Sequence, residues 1–289
     1  MKHKKGYQRS LLTGKWGLYE KHFQSLINKV KINKIFLQIL NDFDMKLLIL
    51  RGCGDLMKTL IKKEKGEIVK KTLLFSNVIG DVTAKENANI SFNQYMEDFL
   101  SENIKKEFKL VFINAPGLGG EENYLNNIIK CFEKIGIEFS EIFDLEYNSD
   151  SNKLESFIKD EKEIIYFLMG GNPLTQMEII KTFNLENRIK EHNGLVIGFC
   201  AGAINLSKYS IITTDEDFDK CQSYKGIERI GIIIEPHYNE IDDLNRNEEL
   251  KDFAKQYNQT IYAVHDESII VVENDNITEY GKIYYIKEQ

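Results

Sequence analysis

The sequence predicts an α/β fold, a three-layer sandwich whose mostly parallel sheet carries helices on both faces. Two observations lead there. Short apolar runs of strand length recur from residue 45 to the end, and stretches with apolar residues three and four apart lie between them. A third observation, the lack of internal repeats, low-complexity tracts and long Pro/Gly linkers, makes residues 45–289 one domain.

Residues 1–44 differ in kind. They hold nine Lys/Arg against three Asp/Glu, whereas the whole chain of 289 residues has a net charge of −7. Phe23, Leu26, Ile27, Val30, Ile35, Phe36 and Leu40 fall at near-helical spacing, so a basic amphipathic helix touching a membrane or a partner is one reading. The favoured reading is a basic N-terminal extension, a non-native start or a partly disordered arm. A methionine stands immediately before the first apolar run, Met45–Leu50.

Strands are then expected at 45–50, Thr72–Phe75, Leu110–Asn114, Glu141–Leu145, Ile164–Met169, Leu195–Phe199, Ile230–Ile234 and Thr260–Val264. Helices are expected over Asn123–Ile135, Leu154–Lys159, Leu174–Lys190 and Leu244–Tyr257. Ile269–Val272 and Ile283–Ile286 read as an antiparallel hairpin turning around Glu273-Asn274-Asp275-Asn276. The stretch Asn77–Asn93 is polar and lacks a clear period.

Composition excludes several classes. No apolar stretch approaches the roughly 18 residues of a membrane span, and the amino terminus lacks a signal-peptide core. A cytoplasmic location without membrane attachment follows. Four scattered cysteines without C-x-x-C, and five histidines without ligand spacing, argue against a disulfide framework and a metal site. The acidic net charge gives no footing for nucleic acid.

The chain is organised around Gly194–Asn205. An apolar run breaks at Gly198-Phe199-Cys200-Ala201-Gly202 and resumes in small, helix-compatible residues. That is the pattern of a nucleophile elbow, a sharp strand-to-helix turn that lifts one side chain to the end of a sheet. Here the side chain is a thiol, placed where a helix start favours its thiolate. A buried cysteine at a tight turn is the plainer alternative.

Three other strand ends belong with it, since open α/β sheets bind ligands at the carboxyl ends of their strands. Gly170-Gly171-Asn172-Pro173 follows a strand and opens a helix, and its paired glycines leave an N–H for an oxyanion beside that of Ala201. Pro236-His237 ends another strand and offers a base for Cys200. Asp266-Glu267 ends a third and offers a carboxylate to orient the imidazole. Each segment alone also reads as an ordinary turn.

With these residues in view, the chain resembles the dipeptidase E and cyanophycinase family of peptidases, which has a class I glutamine amidotransferase-like fold. The resemblance runs through Val111–Ala115, Tyr124, Gly136, Gly170-Gly171-Asn172, Gly198–Ala203, Pro236-His237-Tyr238 and Asp266-Glu267-Ser268. It covers most of residues 45–289. It implies Cys200 as nucleophile, His237 as base and Asp266 as orienting acid, with Glu267 and Asp215 as rivals for the third place. It also implies Gly171 and Ala201 as oxyanion donors, and Arg246 and Asn172 as substrate-binding residues. No cofactor is implied, and a homodimer is compatible.

One departure stands out: the family's nucleophile is serine. Cysteine moves the elbow toward the glutaminases of the same fold, but their His-x-Glu pair is replaced here by His237-Tyr238-Asn239-Glu240. The expected function is hydrolysis of an amide bond in a small peptide or amino-acid derivative. The alternatives are a glutaminase feeding a partner, and a non-catalytic thiol sensor.

Overall fold

In the computed structural model of the chain, the described residues are 69–81, 89–116, 124–159, 163–214, 218–239 and 244–287. The expectations for residues 1–44 and for a strand at 45–50 lie outside them. Residues Ile68–Gln289 group as one unit by their contacts.

Among the described residues, seven strands form the central sheet in the order β11-β10-β1-β5-β4-β2-β3. They are β1 (Lys71–Phe75), β2 (Lys109–Ile113), β3 (Ile142–Leu145), β4 (Ile164–Leu168), β5 (Leu195–Phe199), β10 (Ile269–Glu273) and β11 (Asn276–Tyr280). The five from β1 to β3 in that order pair in parallel, and β10 and β11 are antiparallel additions at one edge. β4 and β5 are buried at every position, as central parallel strands with both faces covered require.

Alternation along the strands divides two cores. Leu74, Val111, Ile113, Tyr166, Leu168 and Val196 face one layer of helices. Leu73, Phe75, Leu110, Phe112, Phe167, Ile197 and Phe199 face the other. Helices α1 (Gln94–Asn103) and α2 (Tyr124–Lys134) bury Met96, Leu100, Ile128 and Phe132 in the second core. The first core takes residues of α3 (Ser151–Phe157), α4 (Pro173–Thr182), α5 (Glu186–Glu191) and α6 (Ala201–Leu206). This is the three-layer α/β sandwich that the sequence predicts.

The structure corrects four details. The helix expected over Leu174–Lys190 is broken into α4 and α5, because Asn184 adopts a left-handed φ of 53° just past the C-cap at Phe183. The strand expected at Ile230–Ile234 is β8, Ile233–Glu235. It lies outside the main sheet, in a three-stranded sheet of order β12-β9-β8 with β9 (Ile261–Val264) and β12 (Ile283–Ile286). The terminal hairpin turns where expected, but β10 pairs with β11, while β12 pairs antiparallel with β9. Finally, β6 (Tyr209–Ile212) and β7 (Gln222–Lys225) form a ribbon that apolar runs do not announce.

The small sheet has its own core, where Leu250, Phe253 and Ala254 of α7 (Leu244–Tyr257) meet Ile233, Ile261 and Ala263. Among the described residues no helix is long and apolar enough to cross a membrane.

Candidate active site

Cys200 sits between β5 and α6 with φ 47° and ψ −107°, a conformation that L-residues rarely adopt. The turn is pinned from both sides. The Cys200 N–H donates to the Phe75 carbonyl at 2.9 Å, and the Cys200 carbonyl accepts from Ile204 N–H at 3.1 Å. Gly202 makes the sharpness affordable, because a Cβ there would lie 2.1 Å from the Leu168 carbonyl oxygen. The thiol is half-buried against the second core.

The neighbouring strand β4 ends in Gly170-Gly171, and this turn lies against Cys200. Gly171 has φ 123°, and a Cβ on it would stand 2.1 Å from the Ala115 carbonyl oxygen, so only glycine fits. Among the described residues, neither the Gly171 nor the Ala201 amide donates to another group. The turn that carries Gly171 and the residue that follows the thiol, Ala201, both lie beside Cys200.

A buried polar chain supports that turn from below. Tyr224 donates to Asn205 Oδ1 at 2.5 Å. Asn205 Nδ2 donates to the Pro173 carbonyl at 2.9 Å and to Gln176 Oε1 at 3.0 Å. Gln176 Nε2 donates in turn to the carbonyls of Met169 at 2.8 Å and Ile113 at 3.2 Å. Asn205 and Gln176 are fully buried, so each bond fixes the ends of β4 and α4 in a low-dielectric setting.

His237 and Asp266 come from the parallel neighbours β8 and β9, each shortly past its strand end. His237 Nδ1 meets Asp266 Oδ1 at 2.6 Å. The side chain of Cys200 acts on the same imidazole electrostatically. Burial pushes the imidazole down, but the charge of Cys200 and the bond to Asp266 outweigh it and hold His237 up at about 10. Burial opposes ionisation of Asp266 as well, yet His237, Asn77 and His265 hold its carboxyl below the ordinary range.

The remaining expected residues fall as follows. Asn172 spends its side-chain oxygen capping α4, accepting from Leu174 N–H at 3.0 Å and Thr175 N–H at 3.2 Å. Arg246 turns to the back of the histidine segment, donating to Glu235, Pro236 and His237. Glu267 contributes its carbonyl to Asn93 Nδ2 at 3.2 Å. Asp215 lies outside the described residues. Among them no group of three or more His, Cys, Asp or Glu is placed to hold a metal ion.

Two residues were not anticipated. Asn77, just past β1, donates to Asp266 Oδ2 at 3.5 Å. Glu235, a fully buried carboxylate in β8, is the residue on which Arg246 closes. A charged residue inside an otherwise apolar strand was the available signal for Glu235. Asn77 carried none.

The model of peptidase family S51 matches residues 77–280, a span that contains every member of the cluster just described. The chain belongs to peptidase family S51. It is therefore a peptidase in kind, and the S51 assignment agrees with the dipeptidase E and cyanophycinase resemblance. Two solved structures have the same fold as this S51 chain. A crystal structure titled as a peptidase E protein from Listeria monocytogenes EGD-e aligns with TM-score 0.51 and 17% identity, over 74% of this chain and 99% of its own. A peptidase from an acI-B1 Actinobacterium aligns with TM-score 0.51 and 16% identity, over 78% and 93%. No curated protein matches the sequence.

Proposed function

We propose that this S51 chain hydrolyses amide bonds of small peptides or amino-acid derivatives through a Cys200–His237–Asp266 acyl-enzyme mechanism. The observation that carries the reading is the imidazole of His237, bonded to Asp266 at 2.6 Å and under the electrostatic influence of Cys200. A ring held up at about 10 is an imidazolium at neutral pH.

The thiolate attacks the substrate carbonyl carbon, forming a C–S bond and a tetrahedral oxyanion. The amides of Gly171 and Ala201 donate to that oxygen, each contributing about 3 kcal/mol by the usual worth of such donors. His237 then gives its proton to the departing amine, and a thioester remains on Cys200. The neutral imidazole next takes a proton from water, whose hydroxyl displaces the thiol and releases the acid. Asp266 keeps the ring oriented and stabilises its cation throughout. A reducing cytoplasm suits this chemistry, because the thiol must stay free. In the structure Cys131, Cys200 and Cys221 are all free.

The test is hydrolysis of a dipeptide panel that includes Asp-X members, with free glutamine alongside. Cys200→Ala and prior alkylation by iodoacetamide each abolish turnover if the reading holds. Turnover that survives Cys200→Ala removes the cysteine mechanism, and cleavage of glutamine alone replaces the peptidase with a glutaminase.

A further inference from the structure

One guanidinium grips three consecutive residues ahead of and at the base. Arg246 Nε donates to Glu235 Oε1 at 2.7 Å, Nη2 donates to the Pro236 carbonyl at 2.7 Å, and Nη1 donates to the His237 carbonyl at 3.1 Å. Thr213 Oγ1 adds a bond to the same Glu235 oxygen at 2.9 Å, which fixes the carboxylate from the ribbon side. His237 needs such a grip, because its φ of 54° is left-handed and it has a Cβ.

Glu235 is 1% exposed, and its Oε2 has no hydrogen-bond partner among the described residues. A buried carboxylate of this kind depends chiefly on Arg246, with Thr213 and the charge of His237 adding to it. If Arg246 swung out to meet a substrate carboxylate, Glu235 would lose its hydrogen-bonded cation while buried, the costly side of breaking a buried ion pair. The guanidinium also reaches two adjacent carbonyls and a carboxylate at once, a pattern that an ammonium does not reproduce.

Resting on the hydrolase reading above, we propose that Arg246, locked by Glu235, is a positioning residue that holds the His237 backbone so that the imidazole meets Cys200, and is not the reader of a substrate carboxylate. Any preference for acidic substrates is then set elsewhere.

The test reads the thiol directly. Arg246→Met, Arg246→Lys and Arg246→Ala are treated with iodoacetamide at neutral pH, and alkylation of the Cys200 peptide is followed by mass spectrometry, apart from Cys221. Arg246→Met slows Cys200 alkylation about tenfold, because the imidazole that takes the thiol's proton is no longer held in place. Arg246→Lys, the milder change should the methionine variant fail to fold, falls between, and ethylguanidinium restores the Arg246→Ala rate. On the fastest-cleaved dipeptide, kcat falls with KM within about twofold. The opposite pattern overturns the proposal: unchanged Cys200 alkylation with a KM for Asp-X substrates raised about tenfold or more. This outcome is separable from failure of the cysteine mechanism itself, which Cys200→Ala reads alone.

Discussion

Gly170 and Cys200 stand so close at adjacent strand ends that a Cβ on the glycine would lie 3.2 Å from the Cβ of the cysteine. The distance is tight without being prohibitive. It means that the Gly170 turn leaves little space beside the Cys200 side chain.

Gly170→Ala therefore folds, since the cysteine side gives by a few tenths of an ångström, but the thiol shifts against its donors. We expect kcat to fall about 10- to 100-fold with little change in Tm, because misplacement by a fraction of an ångström weakens both attack geometry and oxyanion bonds. A variant with unchanged kcat would show that the turn does not set the nucleophile's position.

Asp266→Asn keeps the shape of the carboxylate and removes its charge. The neutral amide no longer supports the imidazolium, so the His237 value falls from about 10. The expected result is slower dipeptide turnover and a basic limb of the pH–rate profile displaced downward, as the imidazolium that protonates the leaving amine is lost at lower pH. Asp266 also couples to stability: its folded value is depressed, so its contribution is present above the ordinary carboxylate range and fades as pH drops through the folded value. The variant loses that component of acid sensitivity.

His192 gives a second pH dependence. It is buried beside Arg229, one ring nitrogen meets the Ile164 carbonyl at 2.9 Å, and burial pushes its value down to about 4 from 6.5. Above 6.5 the folded and unfolded chains are both neutral there, and nothing is lost. Below it the unfolded chain takes up a proton that the native state refuses, so stability falls by about 3 kcal/mol between 6.5 and 4. His192→Gln keeps a donor for Ile164 and should flatten this part of the denaturation-versus-pH curve. An unchanged slope would assign it to other groups.

Arg229, 5% exposed, is surrounded by carbonyls. It donates to those of Lys71 and Gly194 at 2.9 Å each, Ile189 at 2.7 Å and His192 at 2.9 Å, and to Thr72 Oγ1 at 2.9 Å. Arg229→Met leaves these acceptors buried and unpaired and should cost about 3–5 kcal/mol, read as a shift of the denaturant midpoint. Arg229→Lys should recover little, since an ammonium cannot fork to both strand starts and the α5 end.

The legible part of this protein was the part whose physics is local. Fully apolar runs marked β4 and β5, and glycine spacing marked the Cys200 elbow, because a tight turn admits few residues. Pro236-His237 and Asp266 were visible as chemistry-bearing strand ends. What stayed hidden depends on partners far along the chain. Nothing in Ile283–Ile286 says that it pairs with β9 and not β10, and β11 escaped notice because its five residues are exposed and mostly polar. The bond from Arg246 to Glu235, eleven positions earlier, is announced by no local pattern. Asn77 lay in a stretch without period, and its meaning comes from Asp266 alone.

The position of β1 carries a consequence for how the protein comes into being. Its two neighbours in the sheet are β5, which starts at Leu195, and β10, which starts at Ile269. On a ribosome adding about 5–20 residues per second, the first central strand waits roughly ten seconds or more for its last partner. Phe75, whose carbonyl anchors Cys200, and Asn77, which steadies Asp266, ride on that waiting strand. The surroundings of Cys200 are consequently completed only after Ile269 has been made, and until then a nascent chain carries the thiol in an unfinished setting.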